Sequence, residues 1–318
     1  MKMEKMMEKR KFIIDCDTGT DDAIAIVAGL CSDEIEVRAI TTLTGNVSVK
    51  YTSQNTLNLV RYIGSKVPVA IGAWNPLKLR TDDRYAEETH GKTGLGGIVL
   101  PTAEDSFCKE NAIEVIYNEA VKAQGQLEIV AIGPLTNIAI ALLLYPQLKT
   151  YIKHLWIMGG AITGGNITTT AEFNMWCDPE AAKIIFASGI ECTMIGLDVT
   201  TKAVLGQEDM DRIGALGTKA GEVVSAILKF MIERGKNGGE APLMHDALAV
   251  AAALCPECLK CRKYFVDVEC EGEYTFGHTE VDLYQWLGKT PNVSVAEEVD
   301  LPLFKEWLYR TIAGNVRY

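Results

Sequence analysis

KFIIDCDTGTDDAIAI, residues Lys11 to Ile26, sets four carboxylates, Asp15, Asp17, Asp21 and Asp22, directly behind an apolar run. Phe12, Ile13 and Ile14 are continuous and apolar, so Lys11 to Cys16 reads as a short buried strand. Thr18-Gly19-Thr20 reads as a turn with Thr20 placed to cap a helix, and Ala23 to Leu30 is apolar enough for that helix to be buried. The acids therefore gather where a strand hands over to a helix, the place where open α/β sheets bind ligands. Like charges so close repel unless something offsets them. The helix N-terminus helps a little. A hard divalent cation helps far more, and an oxygen-only donor set favours calcium or magnesium over zinc. Acids are common in a first helical turn, which accounts for one or two of these four but not for Asp15 and Asp17 on the strand side.

The 318 residues suffice for one large α/β domain or two smaller ones, and a hydrophobic content of 48% is ample for a core. A net charge of −11 argues against a phosphate-tracking nucleic-acid binder and against attraction to an anionic membrane. No apolar run is long enough to span a bilayer. The opening MKMEKMMEKR is charged, and the apolar run behind it is broken at once by Asp15, so no signal-peptide core follows. The expectation is a cytoplasmic protein with residues 1–10 as an N-terminal extension. Nine cysteines are scattered except for Cys255, Cys258 and Cys261 in CPECLKC. That spacing can hold zinc or an iron–sulfur cluster, but no fourth ligand follows at matching spacing, which favours free thiols at a helix end.

From the first helix onward, Glu34 to Leu43 reads as a strand, Val49 to Ile63 as a helix and Val67 to Ile71 as a third strand. This β-α-β-α-β order implies parallel strands with right-handed crossovers. Gly72 to Phe107 is a long glycine- and proline-punctuated loop holding His90 in HGKTGLGG, and loops of that length are functional or disordered. Glu110 to Ala123 is an amphipathic helix, Gln126 to Ile132 a strand, Ile138 to Leu144 a helix and Lys153 to Met158 a strand. Strand exits at Cys16, Leu43, Ile132 and Met158 would open onto one edge of the sheet. Ala161 to Asn174 is a polar loop whose Asn166, Glu172 and Asn174 suit hydrogen bonds to a hydroxyl-rich ligand. Asp178 caps a helix to Ser188, and Glu191 to Leu197 is a further strand. Gln207 to Glu233 reads as helical with a break near Gly214 to Gly217, and Arg234 to Pro242 as a loop. His245 and Asp246 open the apolar helix Ala247 to Leu254, a notable pair in a chain with four histidines. Tyr264 to Glu269, Glu273 to Leu283 and Asn292 to Val299 are β-rich, and Asp300 caps a closing helix, Leu301 to Ala313.

The ordered motifs DCDTGTDDA, GPLTNIA, MGGA, GNITTTAEFN, DPEAA and HDALAV resemble those of the inosine–uridine nucleoside hydrolase family, from about Lys11 to at least Val250. The resemblance implies a single α/β domain over residues 1–318, with an open, mostly parallel sheet flanked by helices around a Rossmann-like core. It implies calcium-dependent hydrolysis of the N-glycosidic bond of ribonucleosides, pyrimidine nucleosides or inosine among them, in nucleoside salvage. It places Asp17, Asp22, Asp246 and the Ile132 carbonyl on calcium, with Asp17 also the general base. Asp21, Asn46, Asn166, Glu172 and Asn174 would hold the sugar hydroxyls, and Asp15 would support them from behind. His90 and His245 would lie near the base, His245 helping it depart. A small-molecule nucleoside would be the only ligand partner, and the protein would be a homodimer or homotetramer.

The chain departs from that family where a tyrosine-bearing helix before the His-Asp pair often encloses the base. Here Ala226 to Pro242 offers Phe230 and no tyrosine. The alternatives are a hydrolase of a modified or nicotinamide riboside, a non-catalytic nucleoside or ribose sensor, and a magnesium phosphohydrolase. An intact Asp17 beside the metal carboxylates argues against a sensor, and the absence of lysine or arginine in the motif loops argues against the phosphohydrolase.

Overall fold

The computed structural model describes residues 9–79 and 85–314. Eight strands form one sheet: β1 (Arg10–Cys16), β2 (Ile35–Thr42), β3 (Val69–Ile71), β4 (Leu127–Ala131), β5 (Ile152–Met158), β6 (Cys192–Ile195), β7 (Leu259–Tyr264) and, after the hairpin β8 (Val266–Val268) and β9 (Thr279–Val281), β10 (Val293–Val299). Their spatial order is β3-β2-β1-β4-β5-β6-β10-β7. Every neighbouring pair is parallel except β10 with β7. The chain reverses direction across the sheet at β1, where β2 lies on one side and β4 on the other. Such a reversal leaves a crevice at the carboxyl ends of the strands.

Alternation along β1 sorts its side chains onto two faces. Phe12, Ile14 and Cys16 join one core with the helices Thr20–Cys31, Lys219–Lys236, His245–Leu254 and Leu301–Ala313. Ile13 joins the other, with Ala112–Ala123, Thr136–Leu144 and Pro179–Ala187. A strand covered on both sides reads as a continuous apolar run, as KFII does. Thr20–Cys31 is buried at every position except Leu30, so it is a central helix rather than an amphipathic surface one.

Several boundaries differ from the sequence reading. Arg10 belongs to β1, its guanidinium paired with Glu128, Lys9 lies just ahead of the strand, and residues 1–8 of the expected extension lie outside the described residues. Thr20 is inside its helix rather than capping it. Gly19 holds the cap position, and Asp22 Oδ2 accepts the Gly19 N–H at 2.9 Å. The expected break near Gly214 to Gly217 is present, between the helices Gln207–Gly214 and Lys219–Lys236, but the second helix runs past the expected end at Glu233. Glu273 to Leu283 yields only the three residues of β9. The Asp178 and Asp300 caps are present, accepting from Ala181 N at 3.1 Å and Leu303 N at 3.0 Å. Cys255 and Cys258 are buried free thiols, and Cys261 is an exposed one on β7. Among the described residues no helix is long and apolar enough to cross a membrane.

Candidate active site

At the carboxyl ends of β1, β4 and β5 lies a cavity of about 500 Å³. Its wall includes Asp21, Asn46, His90, Ile132, Asn166, Glu172, Asn174, His245 and Asp246, which come from segments far apart in the chain. Asp17 and Asp22 lie fully buried and do not line it.

The acids are held by donors chosen for them. Asp17 Oδ2 accepts the Asn46 backbone N–H at 2.7 Å, while its Oδ1 is buried with no hydrogen-bond partner. Asp22 accepts from Asp17 N at 3.2 Å, Gly19 N at 2.9 Å and Asn46 Nδ2 at 2.9 Å. Two glycines make room for Asp17. A β-carbon on Gly45 would lie 2.0 Å from its Oδ2, and one on Gly133 would lie 2.6 Å from its Oδ1. Asp21, Asp22 and Asp246 each present a carboxylate oxygen within 4.8 Å of the others, all three buried. Burial pushes Asp22 up to about 6, against the hydrogen bonds it accepts, and burial with repulsion from neighbouring acids pushes Asp21 up to about 6 and holds Asp17 and Asp246 well above the carboxylate range. A buried cluster of this kind favours protons or a cation over bare charge.

Asp15 sits behind this cluster. Its Oδ1 accepts from Thr41 Oγ1 at 2.5 Å and Asn137 Nδ2 at 2.8 Å, and burial raises it to about 7. Asn137 also donates to Thr42 O at 3.2 Å, tying the ends of β1 and β2 to the helix after β4.

Asp21, Asn46, Asn166, Glu172 and Asn174, expected to hold sugar hydroxyls, all reach the cavity, and the last four also have structural partners. Asn46 secures Asp17 and Asp22 as above. Glu172 caps the short helix Phe173–Cys177, accepting from Asn174 N at 2.9 Å, Gly160 N at 3.0 Å and Met175 N at 3.1 Å. Burial still raises it to about 7. Asn166 Oδ1 accepts from Phe173 N at 2.9 Å. Asn174 Nδ2 donates to the carbonyls of Ile132 and Met158, each at 3.2 Å, so the Ile132 oxygen keeps one lone pair for another partner.

The two histidines differ. His90 Nδ1 accepts the Thr20 N–H at 3.1 Å, which puts the ring proton on Nε2. Burial, with Arg234 and His245 nearby, pushes it down to about 3, so it is neutral. His245 Nδ1 pairs with Thr200 Oγ1 at 2.8 Å, leaving Nε2 for a ligand, and burial lowers its pKa while Asp21 raises it. The long loop also supplies Tyr85, Glu88 and Thr89, so part of it forms the cavity wall.

Sequence reasoning missed Arg234 and Met231, which line the cavity from the helix Lys219–Lys236. The sequence reading ends that helix at Glu233 and places Arg234 in the following loop. Phe230, the aromatic offered in place of a tyrosine, packs instead on Gly96, where a β-carbon would meet its ring at 2.4 Å.

A family model described as inosine-uridine preferring nucleoside hydrolase matches residues 12–306. The pyrimidine-specific ribonucleoside hydrolase RihA of Escherichia coli strain SMS-3-5 is 40% identical over 302 residues, 93% of this chain and 96% of the relative. The solved purine-preferring ribonucleoside hydrolase from Gardnerella vaginalis superposes with a TM-score of 0.90 at 33% identity, covering 96% of this chain and 98% of that one. A plant nucleoside hydrolase, PpNRh1, superposes with a TM-score of 0.90 at 30% identity, covering 96% and 99%.

Proposed function

The chain belongs to the inosine-uridine preferring nucleoside hydrolase family and is a hydrolase of ribonucleoside N-glycosidic bonds, and we propose that it uses calcium held by Asp17, Asp22, Asp246 and the Ile132 carbonyl. The observation that carries the metal reading is the buried acidic cluster under the cavity. Asp22 and Asp246 present oxygens within 4.8 Å of each other and of Asp21, and Asp17 keeps one buried oxygen without a hydrogen bond. The donors are all oxygen, which suits a hard cation. Asp21 is close enough to join the ligands, beyond its expected role on the sugar.

When bound, calcium supplies Lewis acidity toward water and the sugar diol. Asp17 is the general base, with Oδ2 fixed by the Asn46 N–H and Oδ1 free to take the proton of the attacking water. Asp21, Asn46, Asn166, Glu172 and Asn174 orient the ribose, and their oxygens stabilise the positive charge that grows on the sugar. His245 serves the departing base through Nε2.

Uridine, cytidine and inosine are the proposed substrates: the pyrimidine-specific relative supports the first two, the inosine-uridine family description supports inosine, and the cavity is large enough for a nucleoside. Cytoplasmic nucleoside salvage is the proposed setting, supported by a product pair of free ribose and base. Exposed Tyr274, Tyr284 and Trp286 support a homodimer or homotetramer.

The test is ribose release from uridine, cytidine, inosine, adenosine and nicotinamide riboside before and after calcium removal. Release that stops on chelation and returns with calcium supports the proposal. Release that survives complete calcium removal rules out the metal reading.

A further inference from the structure

Arg234 is the only permanent cation among the described residues that line the cavity. It is in the last turn of the helix Lys219–Lys236 and is fixed at both ends of its side chain. Gly239 packs on the stem, where a β-carbon would lie 2.7 Å from Arg234 Cγ. Nη1 donates to the Thr89 carbonyl on the long loop. Arg234 thereby joins two loops that flank the site. Its Nε is buried without a hydrogen-bond partner. Nε is therefore spent inside the fold, and the guanidinium meets the cavity through its remaining N–H donors. The charge also reaches both cavity histidines, adding to the burial that lowers their pKa values.

We propose that Arg234 reads the nucleobase, donating to its carbonyl oxygens, so that the site prefers uracil over cytosine and hypoxanthine over adenine. The inference rests on the hydrolase reading above. A guanidinium has donors only and keeps its proton, so it fits an acceptor edge and opposes an exocyclic amino group. In uracil and hypoxanthine a carbonyl stands where cytosine and adenine carry that amino group. The same donors act as the bond breaks. The C1′–N electron pair passes to the base and its negative charge spreads onto the carbonyl oxygens, where Arg234 meets it. Water supplies the new C1′–O bond, its proton goes to Asp17, and the departing base takes its proton through His245 Nε2. A pyridinium base, already cationic before it leaves, is repelled by Arg234, which disfavours nicotinamide riboside.

The test measures kcat and KM for the wild type, Arg234→Gln and Arg234→Lys on uridine, cytidine, inosine, adenosine and p-nitrophenyl riboside. In the wild type, kcat/KM should favour uridine over cytidine and inosine over adenosine by about tenfold or more. Arg234→Gln, which can both donate and accept, should collapse both ratios toward one and lose more on uridine and inosine than on p-nitrophenyl riboside. Stabilisation by ribose in a thermal melt confirms that a variant keeps its sugar site. Should Arg234→Gln fail to fold, Arg234→Lys keeps the charge and loses the planar fork, and its carbonyl preference should fall. Unchanged ratios in a folded variant overturn the proposal, as do equal losses on all five substrates, which would make Arg234 a strut. Ribose release without any carbonyl preference in the wild type overturns this inference alone. No release from any nucleoside overturns the parent reading as well.

Discussion

Asn46 donates its side-chain Nδ2–H to Asp22 Oδ2 at 2.9 Å, and the backbone N–H of the same residue donates to Asp17 Oδ2 at 2.7 Å. One residue on the β2 exit thus orients two carboxylates from the β1 exit. Asn46→Ala removes the first bond and keeps the second. Groups that orient metal ligands are worth about 10- to 100-fold in metal affinity. Calcium titration by calorimetry should show a loss of that size, and an unchanged affinity would mean that Asn46 serves only the sugar.

Asp17→Asn should lower turnover by several orders of magnitude, because it removes the proton acceptor and weakens a ligand together. Ribose release under saturating nucleoside is the readout. Activity near that of the wild type would take the general-base role away from Asp17.

Gly45→Ala tests how tightly Asp17 is fitted. The added carbon would lie 2.0 Å from Asp17 Oδ2, so the carboxylate must move. A displacement near 1 Å at a reacting group can cost about 100-fold. The expected loss is of that order in kcat. A fully active Gly45→Ala enzyme would show that Asp17 tolerates displacement.

His245→Ala should slow nucleosides with poor leaving groups far more than p-nitrophenyl riboside, whose leaving group needs no proton. The Thr200 contact at Nδ1 makes Thr200→Val a milder version of the same defect. Equal losses on both substrate types would assign His245 to positioning instead.

Glu172 gives a pH signature in the metal-free protein. Its folded pKa is about 7 against an ordinary 4.5, raised by burial. The folded state then binds the proton more tightly than the unfolded one. The stability this group contributes is complete below pH 4.5 and is lost as pH rises to about 7. Glu172→Gln carries no such proton, so chemical denaturation across that window should show a flatter pH dependence than the wild type. Parallel curves would mean that the three backbone N–H groups hold Glu172 ionised in the fold.

The sequence by itself determined the alternation of strands and helices, the parallel sheet, and the crowding of acids behind KFII. These are local facts. A run such as Phe12-Ile13-Ile14 must be covered on both faces, and Asp15, Asp17, Asp21 and Asp22 cannot separate within eight residues. The ordered motifs also identified Asn166, Glu172, Asn174, His245 and Asp246, which the fold brings to the same cavity. Tertiary structure alone decided what each of these touches. Thr20 looked like a cap because of its residue type, but its neighbour Gly19 takes that position and Thr20 Oγ1 lies 2.9 Å from His90 Nδ1 across the loop. Arg234 looked like the start of a loop because glycines follow it, while packing of Val223, Val224, Ile227 and Met231 into the core carries the helix past it. Whether a polar side chain faces solvent or a cavity depends on which distant segments pack around it. For Arg234 those segments are the loops at Thr89 and Gly239, far apart in the chain and adjacent only once the sheet has folded.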